Sequence, residues 1–505
     1  MRVFFFLSVA VVSAFALLGA TSAADNPPKY SPMLDRDLHA GSLTIHYQTP
    51  DLHGRNWVGL YPLHEGPIQH RKNGESLMWK YAPRNDGILW FDVSSLAAGN
   101  YTAYFLAKDG YSWLTDPIDI TLSTYPEIYF PVAQMTMRNG RQGEAYEARL
   151  HGLLLGKHGK NVRFEKMAGD DWISIHADGT LQGTPSQAGS SHVTVRGVAE
   201  NGVTSTVELT IPVREGAKRL LDSVRVLSLN TWHGGEQLND GLTKQLWVIL
   251  KSNVDVVALQ EAENGAATRI ATALGWDYWE SSFSVGILSR YPIIEKYGAV
   301  SRSGAVRVNL NGEKAEKIHL NIWNAHLGYT PYGPYDVCRD EKDWAGVLEG
   351  EKKSGRVDQI NEIMAGMKQH LDDADNVPVL LMGDFNAPSQ LDYVESLKEE
   401  HCGLVGVEWP TSKAPLDHGL RDSFRETHPV PAANEVTWSP LYPRHDGVQG
   451  DFEPQDRIDF IYYKGKKLKV KKTQVFDQWS PSPYPTHKDN GWPSDHKAAF
   501  AEFNL

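Results

Sequence analysis

The sequence predicts a multidomain chain: two N-terminal all-β sandwiches followed by a layered α/β sandwich. Three observations carry that expectation. Its 505 residues exceed one ordinary domain. As far as Arg214, short β-rich runs are separated by Gly, Asn, Asp and Pro turns. From Val224 onward, unbroken apolar runs alternate with segments of helical apolar spacing, the pattern of sheets covered by helices.

The chain opens with a segment read as a signal peptide, residues 1–23. Arg2 precedes an apolar stretch from Val3 to Leu18, and small residues then suit cleavage near Ala23 or Ala24. The expected mature protein is secreted or periplasmic and soluble, since no later stretch is long and apolar enough to span a bilayer. The two cysteines, Cys338 and Cys402, leave either one disulfide or two free thiols. Asn100-Tyr101-Thr102 fits an N-glycosylation acceptor in a eukaryotic source. Net charge is -12, and from Leu221 onward 41 acidic residues outnumber 30 basic ones. That balance argues against a broad electrostatic footprint for nucleic acid.

Residues 31–123 form the first expected sandwich, with strands in SLTIHYQT, NWVGLYPL, ILWFDV, NYTAYFLA and IDITLS. Its aromatics Trp57, Tyr61, Trp79, Tyr81 and Trp90 suit a core or a binding surface that touches carbohydrate or a membrane. Residues 124–214 form the second. Here Asp178, Gly179, Gly183 and Pro185, in DGTLQGTP, resemble the turn of Ig-like, cadherin-like modules that precedes two closing strands. Arg214 to Ser223 is the expected linker.

In the half from 224 to 505, strands are expected at VRVLSL, DVVALQE, SVGILSRYPI, KIHLNIWNAHL, VPVLLMGD, RIDFIYY and HKAAFAEF. Helices are expected at GLTKQLWVILKS, at Ala266 to Leu274, and as one long element from Trp344 to Leu371. Two Tyr- and Pro-rich stretches, GYTPYGPYDVCRDEKDW and FDQWSPSPYPTHKDNGW, read as irregular walls of a cleft. The basic run KGKKLKVKK reads as a solvated face or a protected sheet edge.

Several buried strands in this half end in a polar residue. Asn230, Glu261, His326, Asp384 with Asn386, Asp459, and the pair Asp495-His496 occupy those ends. In PVLLMGDFNAP the alternation of a strand projects Asp384 and Asn386 the same way, and an Asx turn closing the strand is the alternative. Hard oxygen ligands suit Mg²⁺, Mn²⁺ or Ca²⁺. A histidine with an aspartate partner is the arrangement of a general base. Together these are the parts for phosphoester hydrolysis by metal-activated water.

The motifs LSLNTW, LQE, GILSRYPI, NAHL, GDFN, DRIDFIYY and SDH, in this order, resemble the endonuclease/exonuclease/phosphatase superfamily, which includes DNase I and the neutral sphingomyelinases. The resemblance implies a four-layer α/β sandwich over 224–505. It implies metal ligation by Glu261, helped by Asn230, with Asp495 at the ion or its water shell. Asp384 would orient or deprotonate the attacking water, and Asn386 would hold a phosphate oxygen. Asp459 would orient His496, which would face the phosphate or take the proton. His326 matches the second histidine of the DNase I and sphingomyelinase branches. The expected substrate is a phosphoester, a phospholipid headgroup or small phosphodiester, with an extracellular nuclease or a non-catalytic adhesion protein as alternatives.

Overall fold

Strands that are apolar on both sides must be covered on both sides, and the C-terminal half meets that demand with two facing six-stranded sheets. In the computed structural model, the structure describes residues 33–39, 42–93, 95–122, 128–156, 161–282, 284–312, 315–340, 342–477 and 481–505. The segment 1–23 lies outside the described residues. The first sheet runs Asp277–Glu280, Gly286–Ser289, Val256–Gln260, Ser223–Asn230, Ala498–Asn504, Lys469–Phe476. The second runs Ile293–Val300, Ser303–Asn309, His319–His326, Val379–Asp384, Asp459–Lys464, Arg421–Asp422.

Between the sheets lie Val226, Val256 and Ala258 from one side and Val306, Ile322, Leu380 and Met382 from the other. Alternate residues of the same strands face outward. Leu227, Leu229, Val257 and Leu259 meet the helices Gly241–Ser252 and Ala266–Leu274. Trp323, Val379 and Leu381 meet the helix Arg356–Asp372. The result is four layers: helix, sheet, sheet, helix. Each buried Val, Leu or Ile contributes about 1.5–3 kcal/mol, so the strand ends are fixed points for the polar residues that follow them.

Two expectations change here. The long helix from Trp344 to Leu371 is two helices, Trp344–Lys353 and Arg356–Asp372. Gly355 between them has φ of +80°, a left-handed conformation that ends the first helix. The Arg356 side chain then turns inward and grips Glu351 at 2.9 and 2.8 Å, both side chains fully buried. The first Tyr- and Pro-rich stretch is not wholly irregular either, because Gly333–Cys338 is a short helix with Pro334 in its first turn. The structure joins Cys338 at its end to Cys402 in a disulfide. The basic run, 464–472, spans the end of the strand Asp459–Lys464, a turn, and the start of the edge strand Lys469–Phe476, where Lys469, Lys471 and Lys472 are exposed.

Five sheets make up the described N-terminal part, one of them the two-stranded pair Ile128–Tyr129 and Leu155–Gly156. Met33–His39, Ser42–Gln48 and Asp86–Asp92 face Met78–Tyr81, Trp57–Pro62, Gly99–Leu106 and Ile118–Leu122. Leu43, Ile45, Leu60, Phe105 and Leu122 fill the space between them. The aromatics of this part divide: Trp57, Tyr61 and Trp90 are buried, whereas Trp79 and Tyr81 are 52% and 42% exposed. A five-stranded sheet around Gly189–Val198 and Thr204–Arg214 then packs on Tyr146–Arg149, Thr180–Gly183 and Ile173–Ile175. In DGTLQGTP, Asp178 Oδ1 accepts the Thr180 N–H at 2.9 Å around left-handed Gly179, and the two closing strands follow.

The β-rich part and the α/β half share one hydrophobic cluster, running from Phe130, Leu153 and Leu209 to Leu246, Ile270 and Leu274. The contact is close. A methyl group added at Gly152 would lie 2.2 Å from the Thr272 carbonyl oxygen. Arg141, buried, donates to the Asn311 carbonyl at 2.9 Å and to its side chain at 2.8 Å. The expected linker is itself packed, with Leu220 and Leu221 in the core between the two large sheets. No helix among the described residues is long and apolar enough to cross a membrane.

Candidate active site

All eight residues singled out at strand ends meet at one end of the paired sheets. Parallel pairing of His319–His326 with Val379–Asp384 sets His326 beside Asp384, and antiparallel pairing sets Asp384 beside Asp459. Asn230 and Gln260 are likewise in register, which places Glu261 one step beyond. The polar side chains therefore come together because the apolar register leaves them nowhere else.

Asn230 is the central connector. Its amide donates to Glu261 Oε1 and to Asp384 Oδ2, each at 3.1 Å, and its Oδ1 accepts the Trp232 N–H at 2.9 Å. Glu261, with φ of +48°, receives the His233 N–H at 2.8 Å. Asp384 Oδ2 stands 3.8 Å from Nε2 of both His326 and His496. His496 Nδ1 is 2.9 Å from Asp459 Oδ2, the two side chains fully buried. The strand ends at Asp384, and Asn386 sits beyond it at φ of +50° with its N–H on Asp384 Oδ1 at 2.9 Å. The Asx turn is thus present, and both side chains are still functional candidates. Asn386 lines the cavity and donates to the Leu327 carbonyl at 3.1 Å, while Asp384 lies behind it.

Burial raises the Asp384 carboxyl, and Asp459 adds to that, against the two histidines. Burial also pushes Asp495 up to about 7, reinforced by Glu261 and Asp384. Glu261 goes the other way: burial would raise it, but His326, the His233 N–H and His496 together hold it low. For His496, burial would favour the neutral ring, and Asp459 and Asp384 outweigh it, so its pKa is raised well above the ordinary value. One oxygen each of Asp459 and Asp495 is buried without a hydrogen-bond partner. Such an oxygen is costly unless a cation or water meets it. The carboxylates on that side, Glu261 and Asp495, are hard oxygen donors and fit a divalent cation, whereas Asn230, expected to help ligate it, turns its amide nitrogen toward Glu261 and its oxygen toward the Trp232 N–H. Asp384, Asp459 and His496 also place ligand atoms within 4.8 Å of one another, with His496 Nδ1 and Asp459 Oδ2 engaged in their mutual hydrogen bond.

The residues open into a cavity of about 430 Å³, lined also by Trp232, His233, Glu263, Tyr329, Tyr332, Tyr335, Trp438 and Ile458. Sequence reading placed the tyrosines in a cleft wall. It did not find His233, Glu263 or Ile458, whose signal is proximity in sequence to Asn230, Glu261 or Asp459, nor Trp438, which carries no such signal. The described residues of the second Tyr- and Pro-rich stretch back this wall from behind, with His487 tilted 4.6 Å from Trp232 and stacked 5.0 Å from Tyr484.

Gly383 holds the geometry together. Its φ is +142°, and a methyl group there would lie 2.0 Å from the Ala325 carbonyl oxygen. Gly383→Ala is expected to destabilise the fold by about 1–3 kcal/mol and to displace Asp384. Thermal melting and turnover should fall together; wild-type values for both would show that the strand end tolerates a side chain.

Residues 227–496 match the model of the endonuclease/exonuclease/phosphatase family. An uncharacterized protein of Caenorhabditis elegans is 34% identical over 293 residues, which is 56% of this chain and 92% of that protein. Among solved structures, an endonuclease/exonuclease/phosphatase family protein from Bacteroides thetaiotaomicron is 18% identical, with 56% of this chain and 97% of that one covered and a TM-score of 0.37. An AP endonuclease from Archaeoglobus fulgidus is 14% identical, with coverage of 56% and 100% and a TM-score of 0.36.

Proposed function

The chain belongs to the endonuclease/exonuclease/phosphatase family, and from that premise we propose that it is a divalent-metal-dependent phosphodiesterase acting on a phospholipid headgroup or a small phosphodiester. One observation carries the substrate class. Among the described residues, the cavity around His496 is lined by aromatic rings, three carboxylates and three histidines, and by no lysine or arginine. A single phosphate can be neutralised there by one cation and the histidines. A polyanion such as DNA would meet no basic side chain in the cavity beyond them.

Glu261 and Asp495 would hold the ion, with the Asn230 amide fixing the Glu261 carboxylate in place. Mg²⁺ is the expected ion, with Mn²⁺ or Ca²⁺ as alternatives of the same hardness. The bound cation would offset charge on the phosphate as it gathers in the transition state. Asp384, its basicity raised by burial, accepts a proton from the attacking water. The new bond is water oxygen to phosphorus, and the ester oxygen leaves. His496, held protonated by Asp459, donates to a phosphate oxygen, and Asn386 holds another. His326 supplies the proton to the departing oxygen. No covalent enzyme intermediate is involved.

The N-terminal sheets belong to this reading as two sandwiches, the second Ig-like. Export through the segment 1–23 is a further part of it, checked by N-terminal sequencing of secreted protein. The decisive assay offers purified protein, with Mg²⁺ or EDTA, sphingomyelin vesicles, bis-p-nitrophenyl phosphate and plasmid DNA. Metal-dependent cleavage of one of the first two, with plasmid left intact, is expected. Plasmid nicking at a rate matching or exceeding both would replace the reading with that of an extracellular nuclease.

A further inference from the structure

The aromatic wall of the cavity is fixed from behind by two buried carboxylates three residues apart, Glu453 and Asp456. Glu453 is 4% exposed. Its Oε1 accepts the Trp438 Nε1–H at 2.9 Å and also the Tyr335 hydroxyl. Its Oε2 receives Arg339 Nη2 at 2.7 Å and lies 3.4 Å from His445 Nδ1. The Arg339 guanidinium in turn lies over the Tyr335 ring at 3.9 Å. Asp456 accepts the hydroxyls of Tyr332 and Tyr393, both at 3.0 Å. Trp438, Tyr335 and Tyr332 line the cavity, and the Trp438 ring is 5.0 Å from His496. The same short run ends in Asp459, the partner of His496.

We propose that Glu453 is a positioning residue for specificity: it holds Trp438 and Tyr335 as two sides of a preformed slot for an apolar group esterified to the phosphate. This rests on the phosphodiesterase reading above. A buried carboxylate with four partners is costly to place in a protein interior unless every bond is made. Once made, those bonds fix two rings from distant parts of the chain at one spacing. A slot fixed in advance spares a ligand the ordering of its walls.

The test compares hexyl and methyl p-nitrophenyl phosphate, which share a leaving group and differ only in apolar reach. Wild-type protein is expected to favour the hexyl ester roughly tenfold in kcat/KM, what burying two further methylenes supplies. In Glu453→Ala the preference should fall to about twofold, with the loss in KM of the hexyl ester and not in kcat. Glu453→Gln, which keeps an oxygen for Trp438, should restore part of it. A wild-type preference retained in folded Glu453→Ala, or in Glu453→Gln if the alanine variant does not fold, would overturn the proposal. Should wild type cleave neither ester with any divalent ion, the phosphodiesterase reading falls and the slot is judged by binding. Tryptophan quenching by hexyl phosphate at tenfold lower concentration than by methyl phosphate, lost in the variant, upholds it; equal affinities in wild type refute it.

Discussion

Replacing His496 with alanine is expected to lower turnover about 10³–10⁴-fold, the range of a positioned proton donor combined with a charge stabiliser. The ring is buried, bonded through Nδ1 to Asp459 at 2.9 Å, and its Nε2 points toward Asp384 at 3.8 Å. It is thus held in one tautomer and one orientation, with Nε2, 3.5 Å from the Asn230 amide nitrogen, toward the place where phosphate charge would develop. The fold should survive. Asp459 keeps its strand pairing and its backbone N–H on Thr437 Oγ1, and the unpaired carboxylate costs about 1–3 kcal/mol. Steady-state rates with melting curves on the same preparation decide the point. Turnover within tenfold of wild type would remove His496 from the mechanism.

The second large effect is on metal dependence. EDTA should abolish activity, and Glu261→Gln should raise the Mg²⁺ needed for half-activity by at least about 10–100-fold, the cost of losing even an outer partner of a metal ligand. The substitution is conservative in shape. A glutamine oxygen can keep only one of the two bonds now made to separate carboxylate oxygens, the His233 N–H at 2.8 Å or the Asn230 amide at 3.1 Å, and its NH2 then faces the other donor. What disappears is the negative charge that His326 and His496 now help to keep. A metal titration that superimposes on wild type would place the ion elsewhere, with the Asp384, Asp459 and His496 group as the next choice.

The candidate site was largely legible in the sequence because it hangs on apolar runs. VRVLSLN, VVALQE and VLLMGD each report a strand, and a strand buried on both sides fixes which residue emerges at its end. Asn230, Glu261 and Asp384 follow directly from that. Helix continuity was less legible. Gly355 looks like any helical glycine until the buried Arg356–Glu351 pair explains the turn. Least visible were Trp438, Glu453 and Asp456. They sit in segments without periodicity, and their meaning comes from partners about 60 to 125 positions away, such as Tyr393 and Tyr332 for Asp456. One clue was available: Glu453, Asp456 and Asp459 fall within seven residues, a density of acids that a surface loop explains as readily as a buried support.

The cluster that runs without a break from Phe130 and Leu209 into Leu246 and Ile270 has a consequence for how this chain can be divided. Cutting at Arg214 would tear open a common interior, laying bare the apolar outer side of the Ala266–Leu274 helix and the surface that meets Gly152. The β-rich portion is therefore a second wall of the α/β half, and a fragment truncated to that half inherits an unfinished exterior prone to sticking to itself. For the same reason the β-rich part is a poor candidate for a portable module: any exchange between chains would have to carry the matching side of that helix with it.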